Sequence, residues 1–462
     1  MTHKKLSLFS LSLLIVAAID SIRNLPASAL FGSALIFFFV LSAIIFLIPT
    51  SLVSAELSAT FPEKGGVYHW VSRAFGPKVA MVAIWLQWIN TMAWYPTILS
   101  FIAGTGAYLI NPDLAQNKYY LITFILTVFW SITLVNLKGI HISAKVNNFC
   151  ALIGTIFPMI FLIILGIVWV CMGKPLQITI NKDTIIPSLS HSTNWISLIA
   201  IMASFLGMEL SGVHVTEIHN PQRNFPKAVM LASTFILLSM IFGSLAIAFV
   251  LPGENINLVS GVMQVFSNFF DVFGIKPLTP VLTVLIVLGS IGGITNWLIA
   301  PAKGLLHAAE FGYLSPFFTR KNKHGVAANI LLVQALLVSF FCSLFLFVPS
   351  VNAFYWFLTA LSTELYMIMY ILMFFSALRL HYKYVDRPKA FKIPGNNVGM
   401  WTTCLLGLLG CTATIVVSFF PPDNVNIGSH LRYITMIYIG NVLTISPVLF
   451  FYYYKKKREM RT

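Results

Sequence analysis

The stretch Phe205-Leu206-Gly207-Met208-Glu209-Leu210-Ser211-Gly212 interrupts an apolar run that begins near Trp195. It brings together two glycines, a serine and a carboxylate, where a lipid-facing helix should carry none of them. A charge within hydrocarbon is costly and marks a functional position by default. We therefore predict that a membrane helix is broken here and that the released backbone groups can hold a small polar solute.

The chain around this stretch has the composition of a polytopic membrane protein. Of its 462 residues, 58% are hydrophobic and 9% are charged, whereas soluble domains carry about 25% charged residues. The net charge of +15 does not indicate a nucleic-acid partner, because the basic residues lie in short connections between apolar runs. Five cysteines lie in or beside such runs without metal-ligand spacing, which favours a packing role.

Twelve runs reach the length of about 20 mostly apolar residues that a spanning helix needs. They lie near 7–27, 30–56, 79–109, 119–137, 147–171, 195–216, 228–251, 279–302, 326–348, 353–377, 398–419 and 431–453. The sequence thus predicts an all-α polytopic membrane protein with 12 transmembrane helices in a single transmembrane domain, residues 1–462. We expect no signal peptide. The segment Leu258–Phe273 is expected to form a short helix on the outer surface.

The distribution of lysine and arginine predicts the orientation. With the N-terminus in the cytoplasm, 23 of the 29 basic residues fall in the inner connections and at the inner ends of the chain. Five fall on the outer side, and Arg23 alone lies within a run. Inner loops of membrane proteins carry an excess of positive charge. We expect both termini in the cytoplasm and the protein in a bacterial plasma membrane.

The first apolar run contains the polar sequence Asp20-Ser21-Ile22-Arg23-Asn24-Leu25-Pro26. Asparagine and proline weaken a helix at this point. Two hypotheses remain open. Asp20 and Arg23, three residues apart on one helix face, only neutralise each other, or this segment is a second break that faces a cavity. Under the second hypothesis Asp20, Ser21 and Arg23 are candidate substrate contacts.

Three further acidic residues and a histidine are candidates for binding, coupling or gating. We predict that Glu209 faces a cavity and that Gly207 and Glu209 contact substrate. Glu209 and Glu217 are predicted to take part in coupling or gating. His214 either packs as a hydrogen-bonded histidine or relays protons. Glu56 ends the second run near the cytoplasmic interface, so a structural or gating role is favoured over substrate contact.

The tenth and eighth runs add aromatic candidates. Tyr366 and Tyr370 are four residues apart and share a helix face. They either pack or line a pathway; nearby Glu364, a candidate for coupling or gating, and the partner that each buried hydroxyl needs favour the pathway. Trp297 either caps a polar cavity or packs. We include Trp297, Tyr366 and Tyr370 among the predicted substrate contacts.

Other classes of function lack support in the sequence. It contains no nucleotide-binding glycine loop, no metal-ligand cluster and no convincing nucleophile–base pair. We therefore expect neither an enzyme nor a bound cofactor or metal, and no transport driven by hydrolysis in this chain. An ion channel is disfavoured because no helix shows a repeated pore-lining polar face.

Four groups of residues, in order along most of the chain, resemble motifs of the amino acid–polyamine–organocation (APC) superfamily. They are Ala55-Glu56-Leu57 with Pro62, Gly65-Gly66, Tyr68, Trp70-Val71 and Phe75-Gly76; Gly207-Met208-Glu209 with Glu217, Asn220-Pro221, Arg223 and Pro226; Trp297 with Pro301, Gly304, Asn322-Lys323 and Gly325; and Phe391-Lys392-Ile393-Pro394-Gly395. Within the superfamily the chain looks most like the glutamate:GABA antiporters. The supporting residues are Ile256-Asn257-Leu258, Gly261-Val262-Met263-Gln264, the Tyr366/Tyr370 pair and Phe420-Pro421-Pro422-Asp423-Asn424.

The resemblance implies a LeuT-type fold with a 5+5 inverted repeat and broken helices 1 and 6. Helices 1–5 would occupy about 7–171, helices 6–10 about 195–377 and helices 11–12 about 398–453. The implied function is secondary active amino acid transport by alternating access, as an antiporter. A proton-coupled uptake permease and a non-transporting amino acid sensor are the alternatives. Protons and a second copy of the chain are candidate partners beside the amino acid and the lipid bilayer.

Three departures from the glutamate:GABA antiporters bear on specificity. Arg23 stands where those antiporters have an aromatic residue, and Gly293 stands where they have a glutamate, one turn before Trp297. The tail Lys455–Thr462 is expected to be too short for the C-terminal plug that closes them at neutral pH. We therefore expect specificity to be set on the helix 1 and helix 8 sides of the cavity.

Overall fold

The structure, a computed structural model, is helical in the part of the chain that it describes. That part comprises residues 7–61, 66–139, 150, 152–187, 195–210, 218, 220–384, 391–423 and 425–460. Among these residues, eight helices are long and apolar enough to cross a membrane. The number is nine if the bent pair Leu8–Ala17 and Ile22–Ala29 counts as one span.

The helices of the N-terminal half include the broken first span and four long helices. In chain order they are α1 (Leu8–Ile19), α2 (Leu25–Ala29), α3 (Gly32–Thr60), α4 (Gly66–Phe75), α5 (Pro77–Ala107), α6 (Lys118–Leu137), α7 (Leu152–Cys171) and the single turn α8 (Lys182–Ile185). Short 3₁₀ turns cover Ile22–Asn24 and Pro112–Gln116.

The helices of the C-terminal half begin with the short helix that precedes Gly207. They are α9 (Ser197–Ala203), α10 (Pro221–Val250), α11 (Gly261–Phe273), α12 (Leu278–Glu310), α13 (Ala328–Ser343), α14 (Val351–Lys383), α15 (Asn396–Val417), α16 (His430–Ile445) and α17 (Pro447–Glu459). Further 3₁₀ turns cover Gly253–Asn255, Pro316–Thr319 and Leu344–Phe347.

Local sequence signals explain where several of these helices begin. The side chain of Asn117 accepts hydrogen bonds from the first backbone N–H groups of α6, and Ser350 does the same for α14. These groups otherwise lack a partner at a helix start. Pro77 opens α5 directly after Gly76, whose φ of +88° ends the preceding helix.

The predicted helical class is confirmed, while the count of 12 spans and the LeuT-type repeat remain predictions. The run at 79–109 falls mostly within α5, a single 31-residue helix that is less apolar than the eight candidates. The run at 279–302 lies within α12, of which Leu278–Ile294 is a short apolar helix among the described residues. The sixth run is described only as far as Leu210.

The predicted break in the first span is present. Helix α1 ends at Ile19, and Asp20 and Ser21 have extended backbone angles. A 3₁₀ turn follows and leads into α2, whose first turn contains Pro26. The two halves of the span differ in direction by 43°. Asp20 and Ser21 therefore leave the helical path within the protein, where their polar groups can face a solute.

The second break follows α9. This helix ends at Ala203, and Gly207 has a φ of +103°, which residues with a side chain rarely adopt. The N–H of Gly207 donates to the hydroxyl of Tyr370 at 2.9 Å instead of to a helical carbonyl. The description stops at Leu210, so Ser211 and Gly212 of the predicted break lie outside the described residues.

The predicted short helix within Leu258–Phe273 is present as α11. Its apolar face is buried, with Phe266 and Phe269 fully inaccessible to solvent. The Phe266 ring lies 5.9 Å from that of Phe161, and the Phe269 ring lies 5.6 Å from that of Trp169. Both partners belong to α7, so α11 packs against a long helix through aromatic side chains.

Two glycines bring α7 and α12 into backbone contact. A Cβ atom added to Gly289 would lie 2.3 Å from the Cα of Gly154, and the reverse substitution meets the same distance. Small residues allow this close approach of membrane helices. Gly289 lines the cavity described below, so this contact fixes one of its walls.

Candidate substrate cavity

A cavity of about 90 Å³ lies beside the first break and is lined by both polar and apolar residues. Five predicted substrate contacts line it, namely Asp20, Ser21, Arg23, Trp297 and Tyr366. A cavity of about 10–15 Å³ holds one water molecule, so this cavity has room for several. The structure thus brings the first break together with residues from α12 and α14.

Asp20 is held at this cavity by one of its two carboxylate oxygens. The hydroxyl of Ser239 in α10 donates to Oδ2 at 2.8 Å. The other oxygen, Oδ1, is buried and has no hydrogen-bond partner among the described residues. Buried polar atoms are nearly always bonded, so an exception calls for an explanation.

Arg23 is fixed from two other helices. Its Nη1 donates to Thr97 Oγ1 of α5 at 2.5 Å, and its guanidinium lies 5.2 Å from the ring centroid of Trp94 in the same helix. The backbone carbonyl of Arg23 accepts from the hydroxyl of Tyr355 in α14 at 3.3 Å. Its Nε is buried and has no acceptor within the described chain.

These contacts decide between the two hypotheses for the first break. Within the described part of the chain, no ion pair within 4.0 Å joins Asp20 to Arg23, because each is bonded to a different helix. The two charges therefore do not neutralise each other through a direct contact. The structure favours the hypothesis that the segment is a break facing a cavity.

Glu209 lies behind the cavity wall in a complete set of hydrogen bonds. Tyr366 donates to its Oε1 at 2.6 Å, Tyr370 donates to Oε2, and the amide of Gln87 donates to Oε1 at 3.3 Å. Tyr370 also accepts from the N–H of Gly207. The second break is thereby tied to α5 and α14, and Tyr366 connects this cluster to the cavity.

The position of Trp297 follows from a proline one turn later. Pro301 has no N–H to bond the carbonyl of Trp297 within α12. That carbonyl accepts instead from the hydroxyl of Tyr95 in α5 at 2.7 Å. The Trp297 ring lies 5.3 Å from that of Trp94 and also faces Gly207, where an added Cβ would approach to 3.5 Å. Trp297 therefore bridges the cavity wall and the second break.

Two other predicted residues lie away from this cavity. Glu364 accepts hydrogen bonds from Ser418 and from Asn441, which tie α14 to the residue after α15 and to α16. Glu56 accepts from the N–H of Ile393 at 2.8 Å and lies 3.5 Å from Nδ1 of His381. Both carboxylates connect helices, a role that suits gating or structure.

The structure does not test every candidate. Glu217 and His214 lie outside the described residues, so their predicted roles remain predictions. Substrate contact by the cavity residues likewise remains a prediction. Gly207, Glu209 and Tyr370, which were also predicted to contact substrate, do not line this cavity.

Sequence analysis missed several polar residues of α5 and α10. Thr97 and Gln87 hold Arg23 and Glu209, respectively, and Ser239 holds Asp20. A signal was available in the run at 79–109, which contains Gln87, Asn90, Thr91 and Thr97 among apolar residues. Ser239 gave little indication, since single serines are common in membrane helices.

Comparison with known proteins identifies the family. A family model described as an amino acid permease matches residues 6–442. The chain belongs to the amino acid permease family. This family falls within the APC superfamily, as the sequence motifs predicted.

Curated relatives cover nearly the whole permease. An uncharacterized transporter of Legionella pneumophila is 39% identical over 429 residues, which is 92% of each chain. A glutamate/gamma-aminobutyrate antiporter of Lactococcus lactis is 28% identical over 451 residues, covering 96% of the permease and 89% of the relative. A second such antiporter, from another strain of that species, is 27% identical with the same coverage.

The family and the relatives support an integral membrane protein that transports amino acids. The matched relatives are transporters, which points away from an enzyme. The prediction of a likeness to the glutamate:GABA antiporters is confirmed.

Proposed function

We propose that the permease is a secondary active amino acid antiporter that works by alternating access. The observation that carries the proposal is the cavity beside the first break, where Asp20 and Arg23 present opposite charges that are not paired with each other. A carboxylate and a guanidinium within a membrane protein mark a substrate pathway. The two relatives named as glutamate/gamma-aminobutyrate antiporters support exchange as the mode of transport.

We assign the cavity residues two roles, contact with the substrate and closure of the cavity. Asp20, Ser21 and Arg23 of the first break contact the amino acid. Trp297 and Tyr366 close the cavity on the sides of α12 and α14. Removal of Trp297 from the wall would open a path between the cavity and the second break, since its ring lies against Gly207.

The acidic residues outside the cavity couple the movement of helices to the binding of substrate. Glu209 holds the second break through Tyr366 and Tyr370, so movement of Tyr366 on substrate entry is passed to that break. Glu56, near the end of α3, and Glu364, within α14, connect these helices to neighbouring segments. Glu217 is also proposed to take part in gating. Protons as a coupling partner and a homodimeric assembly remain predictions.

The proposed mechanism uses the predicted architecture. Twelve spanning helices in a LeuT-type 5+5 repeat would place the two breaks opposite each other at the midplane. Both termini would face the cytoplasm, as the distribution of basic residues indicates. The bacterial relatives support a location in a bacterial plasma membrane.

Counterflow in proteoliposomes tests the proposal. Vesicles containing the full-length permease are loaded with one unlabelled amino acid, and entry of radiolabelled L-glutamate, GABA and the common amino acids is followed at acidic and neutral pH. Antiport predicts label entry that depends on internal amino acid and persists with a protonophore. Vesicles without protein are the control.

Each other outcome has a distinct meaning. Accumulation that needs no internal amino acid and collapses with a protonophore would identify a proton-coupled uptake permease. Binding of an amino acid to the purified protein without flux would identify a sensor. No exchange with any amino acid at either pH would contradict the proposal.

A further inference from the structure

The two ionic side chains of the first break are held apart by different helices. Ser239 of α10 holds Asp20, whereas Thr97 and Trp94 of α5 hold Arg23. Both side chains line the same cavity. The cavity therefore has a negative group and a positive group fixed at separate positions.

Each of these side chains retains an unused polar atom. Asp20 Oδ1 can accept a hydrogen bond, and Arg23 Nε can donate one. Asp20 is 3% exposed and Arg23 is 6% exposed, so bulk water does not satisfy these atoms. A ligand that enters the cavity can supply the partners that these atoms lack among the described residues.

At the second break, the described polar groups that could bind a ligand already have hydrogen-bond partners. Both carboxylate oxygens of Glu209 already accept hydrogen bonds, and the N–H of Gly207 is bonded to Tyr370. Charge recognition in this cavity therefore falls to Asp20 and Arg23.

We propose that the cavity binds a zwitterion in one orientation, with the ammonium group at Asp20 and a carboxylate at Arg23. This inference rests on the proposed transport of amino acids and names the charges that select the substrate. Ammonium and carboxylate groups supply the donor that Asp20 lacks and the acceptor that Arg23 lacks.

The proposal excludes two related chemical classes. A diamine brings a second positive charge towards Arg23 and provides no carboxylate for it. A simple carboxylic acid provides no donor for Asp20 and places two carboxylates in one small cavity. A solute with one charge of each sign leaves the net charge of the cavity unchanged.

Displacement of radiolabelled GABA from the purified full-length permease tests this assignment. The competitors are GABA, butyrate, which lacks the ammonium group, propylamine, which lacks the carboxylate, and putrescine, a diamine. If GABA does not bind, L-alanine, propionate and ethylamine form the equivalent set for α-amino acids. In the wild type, the amino acid should bind more tightly than each single-charge analogue by at least about tenfold, and putrescine should compete weakly.

Two variants test the contribution of each charge separately. Asp20→Asn should remove most of the advantage of GABA over butyrate while its advantage over propylamine remains. Arg23→Gln should do the reverse. Asp271→Asn, which removes an exposed carboxylate 3.2 Å from Lys276, and Arg379→Gln, which removes a guanidinium 5.0 Å from the ring of Phe75, are matched controls and should change neither ratio.

The outcomes also separate this inference from the proposed function. Exchange of amino acids by a permease whose Asp20 and Arg23 variants lower all affinities equally would overturn the inference alone. If a variant is not recovered as folded protein, the wild-type series decides, because equal displacement by GABA and either single-charge analogue contradicts the assignment. Failure of every amino acid to bind would overturn the proposed function as well.

Discussion

Asp20 and Glu209 are buried carboxylates at the two helix breaks, and their surroundings differ. Glu209 accepts hydrogen bonds from Tyr366, Tyr370 and Gln87, so both oxygens are bonded. Asp20 lines the cavity and accepts from Ser239 through one oxygen, while its other oxygen is buried and has no hydrogen-bond partner among the described residues. Both carboxylate oxygens of Glu209 thus have hydrogen-bond partners in the protein, whereas only one oxygen of Asp20 does.

The difference indicates two separate roles. A fully bonded buried carboxylate fixes the helices that donate to it, because removing it leaves several donors without an acceptor. A half-bonded carboxylate stabilises less and is available to a ligand. We therefore expect Glu209 to govern stability and coupling, and Asp20 to govern affinity. Three predictions test this contrast and a fourth tests the cavity wall, in order of their expected effect on the free energy of unfolding.

Glu209→Ala should have the largest effect on stability. It leaves two buried tyrosine hydroxyls and the Gln87 amide without their acceptor, and the free energy of unfolding should fall by about 2–4 kcal/mol. Thermal denaturation of the detergent-purified permease measures this as a lower Tm. Glu209→Gln keeps an acceptor oxygen and should lose less. A wild-type Tm for the alanine variant would remove the contrast with Asp20.

The tyrosine partners of Glu209 should differ from each other. Tyr370→Phe removes the donor to Glu209 and the acceptor for the Gly207 N–H, so stability should fall by about 1–2 kcal/mol. Tyr366→Phe removes a single bond and should cost about 1 kcal/mol or less. Because Tyr366 lines the cavity, its variant should raise the KM of exchange more than the Tyr370 variant does. Equal effects of the two variants on Tm and on KM would contradict separate roles for Tyr366 and Tyr370.

Asp20→Asn should change stability by less than about 1 kcal/mol, since the amide oxygen can still accept from Ser239. Exchange should nevertheless fall by at least about tenfold, because the ammonium group loses its charged partner. Comparing Tm with initial exchange rates on the same preparation checks both parts. A large loss of stability with unchanged exchange would place Asp20 in the same class as Glu209.

Gly293→Ala should have the smallest effect on stability. A Cβ at Gly293 meets nothing within 4 Å, so the free energy of unfolding should stay within about 0.5 kcal/mol of the wild type. The added methyl group enters the cavity, so KM should rise. Gly289→Ala, one turn earlier, is the matched control, because its Cβ would collide with Gly154 and force α7 and α12 apart. Similar Tm values for the two variants would contradict the packing of this wall.

Much of the fold and part of the cavity could be predicted from the sequence. The length of the apolar runs identified the long helices. Polar residues within those runs identified both breaks, because a polar or charged side chain in hydrocarbon costs free energy. The need of each buried tyrosine hydroxyl for a partner was predicted, but the carboxylate considered near Tyr366 was Glu364, whereas its partner in the structure is Glu209.

Other features depend on contacts between distant segments. The partners of Asp20 and Arg23 lie on α10 and α5, and no local pattern at residues 20–26 specifies them. The sequence left open whether the two charges pair with each other, because residues three apart on a helix do meet. The break in the helix at Asp20 and Ser21 removes that geometry, which only the structure shows.

A structure of the permease with the exchanged amino acid bound, determined by cryo-electron microscopy, tests the central claim most directly. The account predicts that the ammonium group lies within hydrogen-bond distance of Asp20 Oδ1 and that a carboxylate contacts Arg23, with Glu209 still bonded to its tyrosines. An amino acid bound with its ammonium group at Glu209, or with Asp20 and Arg23 both free of it, would contradict the account.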